Sequence, residues 1–297
     1  MYLQSPEFRL CYPAFSPEIF DRVLRYGAPL GSLIELHEKL PRCMGRLKEM
    51  IAEARRDNHP FPSGTVVIAN QLLDGCGRFD REWFAPTGGV WMAVAWADTL
   101  LPDFARLLPL AAGIASCETL RSFGVDAKVK WVNDTHVHGR KISGVLCETV
   151  TGESPEDRYH LVGIGINCNN TTFPADLVGT ATSIYNELHD IVDLEKFTLE
   201  LLARLSWNFG LLHFYEEKSL AWERDGRNGV LRNPVLDAWK ELSDTLGRRV
   251  EYGYDVVRKP LYQAIVKDVD NAGGLVMQLE RGPIVTENSG EILYLID

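Results

Sequence analysis

Residues 128–146 read KVKWVNDTHVHGRKISGVL and form the most informative stretch of the sequence. An apolar strand, Ala127 to Trp131, ends in the polar pair Asn133-Asp134, and a second strand follows from Lys141. Two strands joined over a short polar turn form a β-hairpin. Lys141 is followed by small and apolar residues, so its ammonium lies at the edge of the core. Burial and a carboxylate such as Asp134 can shift the pKa of the ammonium there.

Two further segments combine glycine with polar side chains. In Gly75-Cys76-Gly77-Arg78 the glycines let the backbone approach an anion, and Arg78 can bind phosphate or carboxylate through two hydrogen bonds. In Gly163-Ile164-Gly165-Ile166-Asn167 the alternate glycines leave one face of a strand bare for a flat ligand. Ordinary turns, close packing against a helix and solvated hairpin tips give similar patterns. The residues alone therefore leave a ligand site and a structural role open.

Hydrophobic patterning along the 297 residues predicts an α+β fold. Residues 246–297 show short alternating strands between turns, which is typical of a small β-barrel. We expect an irregular N-terminal arm over 1–30, a larger α+β domain over 31–240 and a β domain over 241–297. The predicted helices include Arg46–Arg56, Phe104–Phe123 and Leu194 to about Tyr215.

Composition argues against several classes of protein. The net charge is −10, from 31 basic and 41 acidic side chains, whereas nucleic-acid binding normally needs a basic surface. The longest apolar run, Leu107 to Cys117, is too short to cross a bilayer, and no signal peptide is visible, so we expect a cytoplasmic protein without a membrane segment. The 6 cysteines lack zinc-ligand spacing and indicate free thiols. His136 and His138 are expected at the surface.

Taken in order, these segments resemble the biotin protein ligase family, in the class without an N-terminal DNA-binding domain. The resemblance runs from about Thr65 to Asp297. Besides the segments above it rests on Trp83-Phe84-Ala85-Pro86, Ala181-Thr182-Ser183-Ile184 and Ser289-Gly290-Glu291-Ile292. It implies a mixed sheet with helices on one side, forming a biotin/lipoate ligase-like catalytic domain, followed by a small SH3-like β-barrel.

The resemblance also implies a reaction with ATP, biotin and Mg²⁺. Biotin's carboxylate attacks the α-phosphate of ATP to give biotinyl-5′-AMP and pyrophosphate. A lysine amine on the biotin carboxyl carrier domain of a carboxylase or decarboxylase then displaces AMP. The sequence leaves the oligomeric state open.

Individual residues take roles by the same resemblance. Lys141 holds the carboxylate and bridging oxygens, and Asp134 orients or deprotonates the lysine amine. Arg78 and Lys130 bind the phosphates. The other predicted contacts are Gly75, Gly77 and Asn133, Trp83 at the adenine-stacking position, Asn167 with Mg²⁺, and Gly144, Gly163 and Gly165 as the floor of the biotin pocket. Loop 75–82 is expected to close over the adenylate.

Three departures from the family pattern lie mostly on the biotin side. Residues 40–45, LPRCMG, stand where the family carries a Ser-Thr-Asn-type motif, Leu72 stands at a usual glutamine and Cys76 at a usual arginine. Two alternatives therefore stay open: a ligase that adenylates a different carboxylic acid, and a non-catalytic relative that binds biotin or an adenylate. The four charged residues Arg78, Lys130, Asp134 and Lys141 together favour an active ligase.

Overall fold

A mixed sheet forms the centre of the larger part of the chain. The computed structural model describes residues 3, 5–151, 157–226 and 231–295. The strands of this sheet are β1 (Ile34–Leu40), β2 (Thr65–Leu72), β3 (Val90–Ala97), β4 (Lys128–Lys130), β5 (Asp134–Val137), β6 (Arg140–Thr151) and β7 (Arg158–Ile166). Their order is β1-β2-β3-β7-β6-β5-β4, with β1 and β2 parallel and the other neighbours antiparallel.

Helices cover both faces of this sheet. They are α1 (Pro6–Leu10), α2 (Pro17–Gly27), α3 (Cys43–Arg56), α4 (Pro102–Ala105), α5 (Leu108–Ser122), α6 (Ile184–Leu188), α7 (Leu194–Arg224) and α8 (Pro234–Leu242). The larger core joins α5 and α7 to one face of the sheet, through residues such as Val94 and Ile164. Helix α3 packs Leu47 and Ile51 on the opposite face, against Val67. The expectation of helices on one side therefore holds for α5 and α7 and is wrong for α3.

The C-terminal part is a separate five-stranded antiparallel sheet. Its strands are β8 (Arg249–Gly253), β9 (Tyr262–Val269), β10 (Leu275–Leu279), β11 (Ile284–Glu287) and β12 (Glu291–Tyr294), in the order β11-β10-β9-β8-β12. Alternate side chains along β8 and β9 are buried, for example Val250, Ala264 and Val266, as expected of strands with one face in a core. The α+β class is confirmed, and the second sheet is consistent with the predicted SH3-like barrel.

The N-terminal segment is helical, so the expectation of an irregular arm over 1–30 is wrong. Ser5 and Ser16 each accept a hydrogen bond from a backbone N–H of the first turn, and a proline follows each serine at the first helical position. These Ser-Pro pairs start helices rather than break them. Helix α2 then buries Phe20 and Val23. The assignment of 31–240 and 241–297 as two domains stays a prediction.

Buried strands and helices lie close to their predicted positions. Helix α7 continues to Arg224, well beyond Tyr215, and the predicted helix over Phe104–Phe123 is divided into α4 and α5. Strand β1 was missed, because it lies at the sheet edge and its residues are exposed or half-buried along its whole length. Among the described residues, every helix is too short or too polar to cross a membrane.

Helices α2 and α7 approach each other closely at Gly210, which gives a prediction about stability. A Cβ atom at this position would lie 2.2 Å from the Val23 carbonyl oxygen and 2.8 Å from the Gly27 nitrogen. We expect Gly210→Ala to lower the free energy of unfolding by about 1–3 kcal/mol, the usual cost of overpacking. Urea unfolding followed by far-UV circular dichroism measures the change.

A matched control is Gly113→Ala in buried helix α5, where a new Cβ meets nothing within 4 Å. This substitution should be neutral or stabilising by up to about 1 kcal/mol, because alanine favours helix more than glycine does. Equal free energies of unfolding for the two variants would contradict the close approach of α2 and α7.

Candidate active site

The hairpin of β4, β5 and β6 brings together three of the four predicted charged residues, Lys130, Asp134 and Lys141. Lys130 pairs with Asp134 across β4 and β5, and Asp134 pairs with Gly144 across β5 and β6. The Lys141 Nζ atom lies 2.6 Å from Asp134 Oδ1, with side chains 39% and 28% exposed. A pair this exposed adds only about 0–1 kcal/mol to stability. Its position at the end of the sheet is therefore better explained by chemistry than by folding.

The Asp134 carboxylate and the Lys141 ammonium form a close charge pair. The Oδ1 atom of Asp134 is buried with Lys141 Nζ 2.6 Å away, while the side chain as a whole is 28% exposed. The Lys141 backbone is fixed independently, since its N–H donates to the Thr180 carbonyl (2.8 Å) and its own carbonyl accepts from Thr182 N–H (2.9 Å). The lysine is thus positioned by the backbone and oriented by Asp134.

Lys130 is the second cation of the cluster and is half-buried. Burial lowers its pKa; Asp134 opposes this shift and the positive charge of Lys141 adds to it. In the parts of the chain that the structure describes, no carboxylate oxygen lies within 4.0 Å of Lys130 Nζ, and the ammonium lies 4.9 Å from the centre of the Tyr294 ring. Its hydrogen-bond donors are therefore available to an anionic ligand.

A glycine face lies beside these charges. Gly144 on β6 pairs with Gly165 on β7, and a Cβ at Gly165 would lie 2.7 Å from Trp83 Nε1. A Cβ at Gly144 would lie 3.2 Å from both Trp83 Cζ3 and Lys141 Nζ, and one at Gly163 would lie 2.7 Å from Met44 Sδ. The predicted flat face exists, and the indole and thioether rest directly on it. Trp83 lies on the predicted biotin floor beside Lys141, whose Nζ is 5.2 Å from the ring centre.

Loop 75–83 is held against the C-terminal sheet. Arg78 Nη1 donates to the Gly290 carbonyl (2.7 Å), and Arg81 pairs with Asp255 (2.5 Å) and Glu291 (2.8 Å). The loop closes on itself through hydrogen bonds from Trp83 N–H to the Gly75 carbonyl (2.9 Å) and from Gly77 N–H to the Arg81 carbonyl (2.8 Å). The backbones of Gly75 and Gly77 are thus engaged within the loop, and Arg78 faces the C-terminal sheet.

The two asparagines predicted as ligand contacts are used inside the fold. The Asn133 side chain donates to the Val145 carbonyl. Asn167 is 4% exposed, donates to the Thr182 carbonyl (3.0 Å) and accepts from Asn170 (3.1 Å). This side chain ties the end of β7 to the segment that fixes the Lys141 backbone. Its contacts do not fit a Mg²⁺ ligand, and the described residues contain no cluster of three or more His, Cys, Asp or Glu side chains suited to a metal.

Sequence reasoning missed a polar cluster behind Lys130. His136 is 4% exposed and lies 3.0 Å from Asp244, so the surface position expected for it is wrong, whereas His138 is exposed as expected. Asp244 also accepts from the Tyr294 hydroxyl at 3.0 Å. His136 is 108 positions from Asp244 in the chain and Tyr294 is 50 positions from it, and no local sequence pattern links the three residues. The Ser-Gly-Glu-Ile segment before Tyr294 was the one available signal.

Comparison with known proteins finds similarity to biotin ligases. Residues 46–169 match the biotin/lipoate A/B protein ligase family. The bifunctional ligase/repressor BirA of Salmonella typhimurium is 27% identical over 77% of this chain, and the match covers 66% of that protein. The biotin–[acetyl-CoA-carboxylase] ligase of Mycobacterium tuberculosis is 27% identical over 78% of this chain and 79% of its own length.

A solved structure supports the fold. The biotin protein ligase from Aquifex aeolicus in complex with biotin and ATP is 24% identical, with a TM-score of 0.67 over 89% of this chain and 99% of that one. The resemblance to biotin protein ligases predicted from the motifs is confirmed. The chain spans about two thirds of the length of the BirA relatives that it matches.

Proposed function

We propose that this chain, whose residues 46–169 match the biotin/lipoate A/B protein ligase family, is an ATP-dependent biotin protein ligase. In the first step a biotin carboxylate oxygen bonds to the α-phosphorus of ATP, and the bond to the leaving pyrophosphate breaks. In the second step a lysine amine bonds to the acyl carbon of biotinyl-5′-AMP, the carbon–oxygen bond to AMP breaks, and the amine gives up a proton. The products are a biotinyl amide and AMP.

The observation that carries this proposal is the Lys141–Asp134 pair at the edge of the glycine face. Adenylation brings a carboxylate against a polyphosphate, so a fixed cation must offset their repulsion and the charge that develops in the transition state. Lys141 lies beside Gly144, at the edge of the glycine face. The carboxylate of a flat ligand bound on this face would lie next to the Lys141 ammonium. Lys130, with no carboxylate within 4.0 Å among the described residues, suits the phosphates.

Asp134 serves the second step in this scheme. The attacking amine must be neutral, and a carboxylate within reach can accept its proton. Asp134 is suited to this because its side chain is 28% exposed and lies beside Lys141 at the edge of the glycine face. The proposed acceptor is the biotin carboxyl carrier domain of a carboxylase or decarboxylase. The relative named as a biotin–[acetyl-CoA-carboxylase] ligase supports this choice.

Binding on the glycine face requires movement of two side chains. Trp83 and Met44 rest on Gly165 and Gly163, where the biotin ring system is proposed to lie. Trp83 ends loop 75–83, so a shift of this loop can uncover the face and later cover the adenylate, shielding it from water. No step is assigned to Mg²⁺, because the contacts of Asn167 do not fit it. We propose a cytoplasmic location, since the 6 free cysteines suit a reducing compartment.

The proposal predicts ATP–pyrophosphate exchange that depends on biotin. Exchange reports reversible adenylation alone, so it needs no carrier protein. We expect incorporation of labelled pyrophosphate into ATP with biotin present and only background without it. Subsequent addition of a biotin carboxyl carrier domain should give a covalent mass increase on that domain.

A panel of other carboxylic acids tests the main alternative. Met44 lies against Gly163 within the segment that replaces the family's usual biotin-contact motif, and this favours an altered acid specificity as the second candidate. Exchange with another acid and none with biotin would assign the chain to an acyl ligase of changed specificity. No exchange across the panel, with biotin still bound in calorimetry, would assign it to the non-catalytic binding relatives.

A further inference from the structure

We propose that Tyr294, on the last strand of the C-terminal sheet, positions the Lys130 ammonium toward the phosphate side of the active site. Tyr294 would thereby be a positioning residue that the second sheet supplies to the reaction. The inference rests on the proposed ligase function for its catalytic meaning, whereas the contact itself is independent of that function.

Lys130 is an unusual cation in this molecule. It is half-buried, and burial works against its charge. No carboxylate oxygen comes within 4.0 Å of it in the ranges that the structure describes, so the face of Tyr294, 4.9 Å away, is its close partner. An aromatic face stabilises an ammonium without occupying its N–H donors. A carboxylate at the same place would compete with phosphate oxygens for those donors.

The ring is held in place by its hydroxyl group. Tyr294 Oη lies 2.7 Å from Thr245 Oγ1 and donates to Asp244 Oδ1 at 3.0 Å. Thr245 is fully buried, so this anchor is shielded from water. The ring also carries the Arg248 guanidinium, 4.5 Å from its centre. Two cations on one ring repel each other, and Asp244 offsets this because it also pairs with Arg248 at 2.5 Å.

His136 links this anchor to the hairpin of the active site. Its Nδ1 accepts from the Gly139 N–H at 3.1 Å, which leaves the proton on Nε2 to be donated to Asp244 at 3.0 Å. Burial alone raises the pKa of Asp244, but the hydrogen bond from His136 and the charge of the Arg248 guanidinium hold it below its usual range. Asp244 therefore stays ionised and keeps the Tyr294 hydroxyl oriented. The chain of contacts runs from the turn before Lys141 to the ring under Lys130.

Kinetics of the proposed reaction give the first test. In ATP–pyrophosphate exchange we expect Tyr294→Leu to raise the KM for ATP about 5- to 30-fold, the range of a partly buried cation–π contact, and to leave the KM for biotin within about twofold. Tyr294→Phe keeps the ring and loses only its anchor, so a smaller rise of the same kind is expected. Leu293→Ala, next to it and 38% exposed, should change neither constant. An unchanged KM for ATP, or equal rises in both constants, would overturn the positioning role.

A second measurement does not depend on ligase activity. Brief labelling with acetic anhydride, analysed by mass spectrometry, gives the reactivity of Lys130 relative to the exposed Lys196 in the same molecule. Loss of the ring uncovers the ammonium and destabilises its charged form, so reactivity should rise at least about threefold in Tyr294→Leu. Tyr294→Phe should react like the parent protein. Equal reactivity in all three proteins would refute the contact, whereas absent exchange with altered reactivity would refute the ligase function alone.

Discussion

Replacement of Lys141 by alanine is expected to lower biotin-dependent ATP–pyrophosphate exchange about 10²- to 10³-fold. A loss of this size is typical when one preorganised hydrogen-bond donor is removed from a site where negative charge develops in the transition state. Lys141 is fixed at its backbone by Thr180 and Thr182, so its ammonium is placed before any substrate arrives. That placement is the source of the effect, because the donor does not have to reorganise during the reaction. Initial rates at saturating ATP and biotin measure the loss.

Folding has to be separated from catalysis in this experiment. Alanine leaves Asp134 without its partner, but the pair is partly exposed and its loss should cost only about 0–1 kcal/mol of stability. The thermal midpoint should therefore stay within a few degrees of the parent value. Lys128→Ala is a matched control, since Lys128 lies on β4 of the same hairpin and pairs with Asp126 at 3.5 Å. Near-normal exchange in Lys141→Ala, or an equal loss in Lys128→Ala, would remove Lys141 from the proposed mechanism.

Lys141→Arg tests how much geometry matters. Arginine keeps the charge but spreads it over a planar group that is longer than the lysine side chain. The Lys141 side chain lies directly over Gly144, because a Cβ there would be 3.0 Å from Lys141 Cε, so a longer planar group places its charge at a different point. We expect most of the loss to persist, which would show that the position of the ammonium matters as well as its charge.

The central sheet and the charged hairpin were predictable because their signals are local. Buried strands such as β3 are continuous apolar runs, and the hairpin of β4 to β6 is encoded within 19 residues. Lys130 and Asp134 are brought together by strand register, which the turn fixes. The glycine face follows from alternation along β7.

Contacts across the two sheets were not predictable in the same way. Arg81 meets Asp255 and Glu291 over separations of 174 and 210 residues, and nothing in the local sequence selects those partners. The position of Trp83 on the glycine face depends on the same long-range contacts, because loop 75–83 is held by them. Asn167 illustrates a different failure: its place at a strand end was predicted correctly, but the buried partners of its amide decide its role.

Asp134→Asn is expected to separate the two half-reactions. The amide cannot accept a proton, so transfer from preformed biotinyl-5′-AMP to a carrier lysine should fall about 10²- to 10⁴-fold, the range of general base catalysis. Adenylation should fall much less, because the neutral side chain still lies beside Lys141 and only its orienting charge is lost. Single-turnover assays of each step measure the two losses.

The pH dependence of transfer distinguishes loss of a base from loss of position. An unperturbed lysine amine has a pKa of about 10.4, so its neutral fraction rises about tenfold per pH unit between pH 7 and 9. If Asp134 takes the proton, transfer by Asp134→Asn should rise more steeply with pH than transfer by the parent protein, and the defect should shrink. Asp126→Asn, a matched change at a carboxylate that is 69% exposed and lies just before β4, should leave both steps and the pH profile unchanged. Equal losses in adenylation and transfer, with parallel pH profiles, would instead assign Asp134 the single task of holding Lys141.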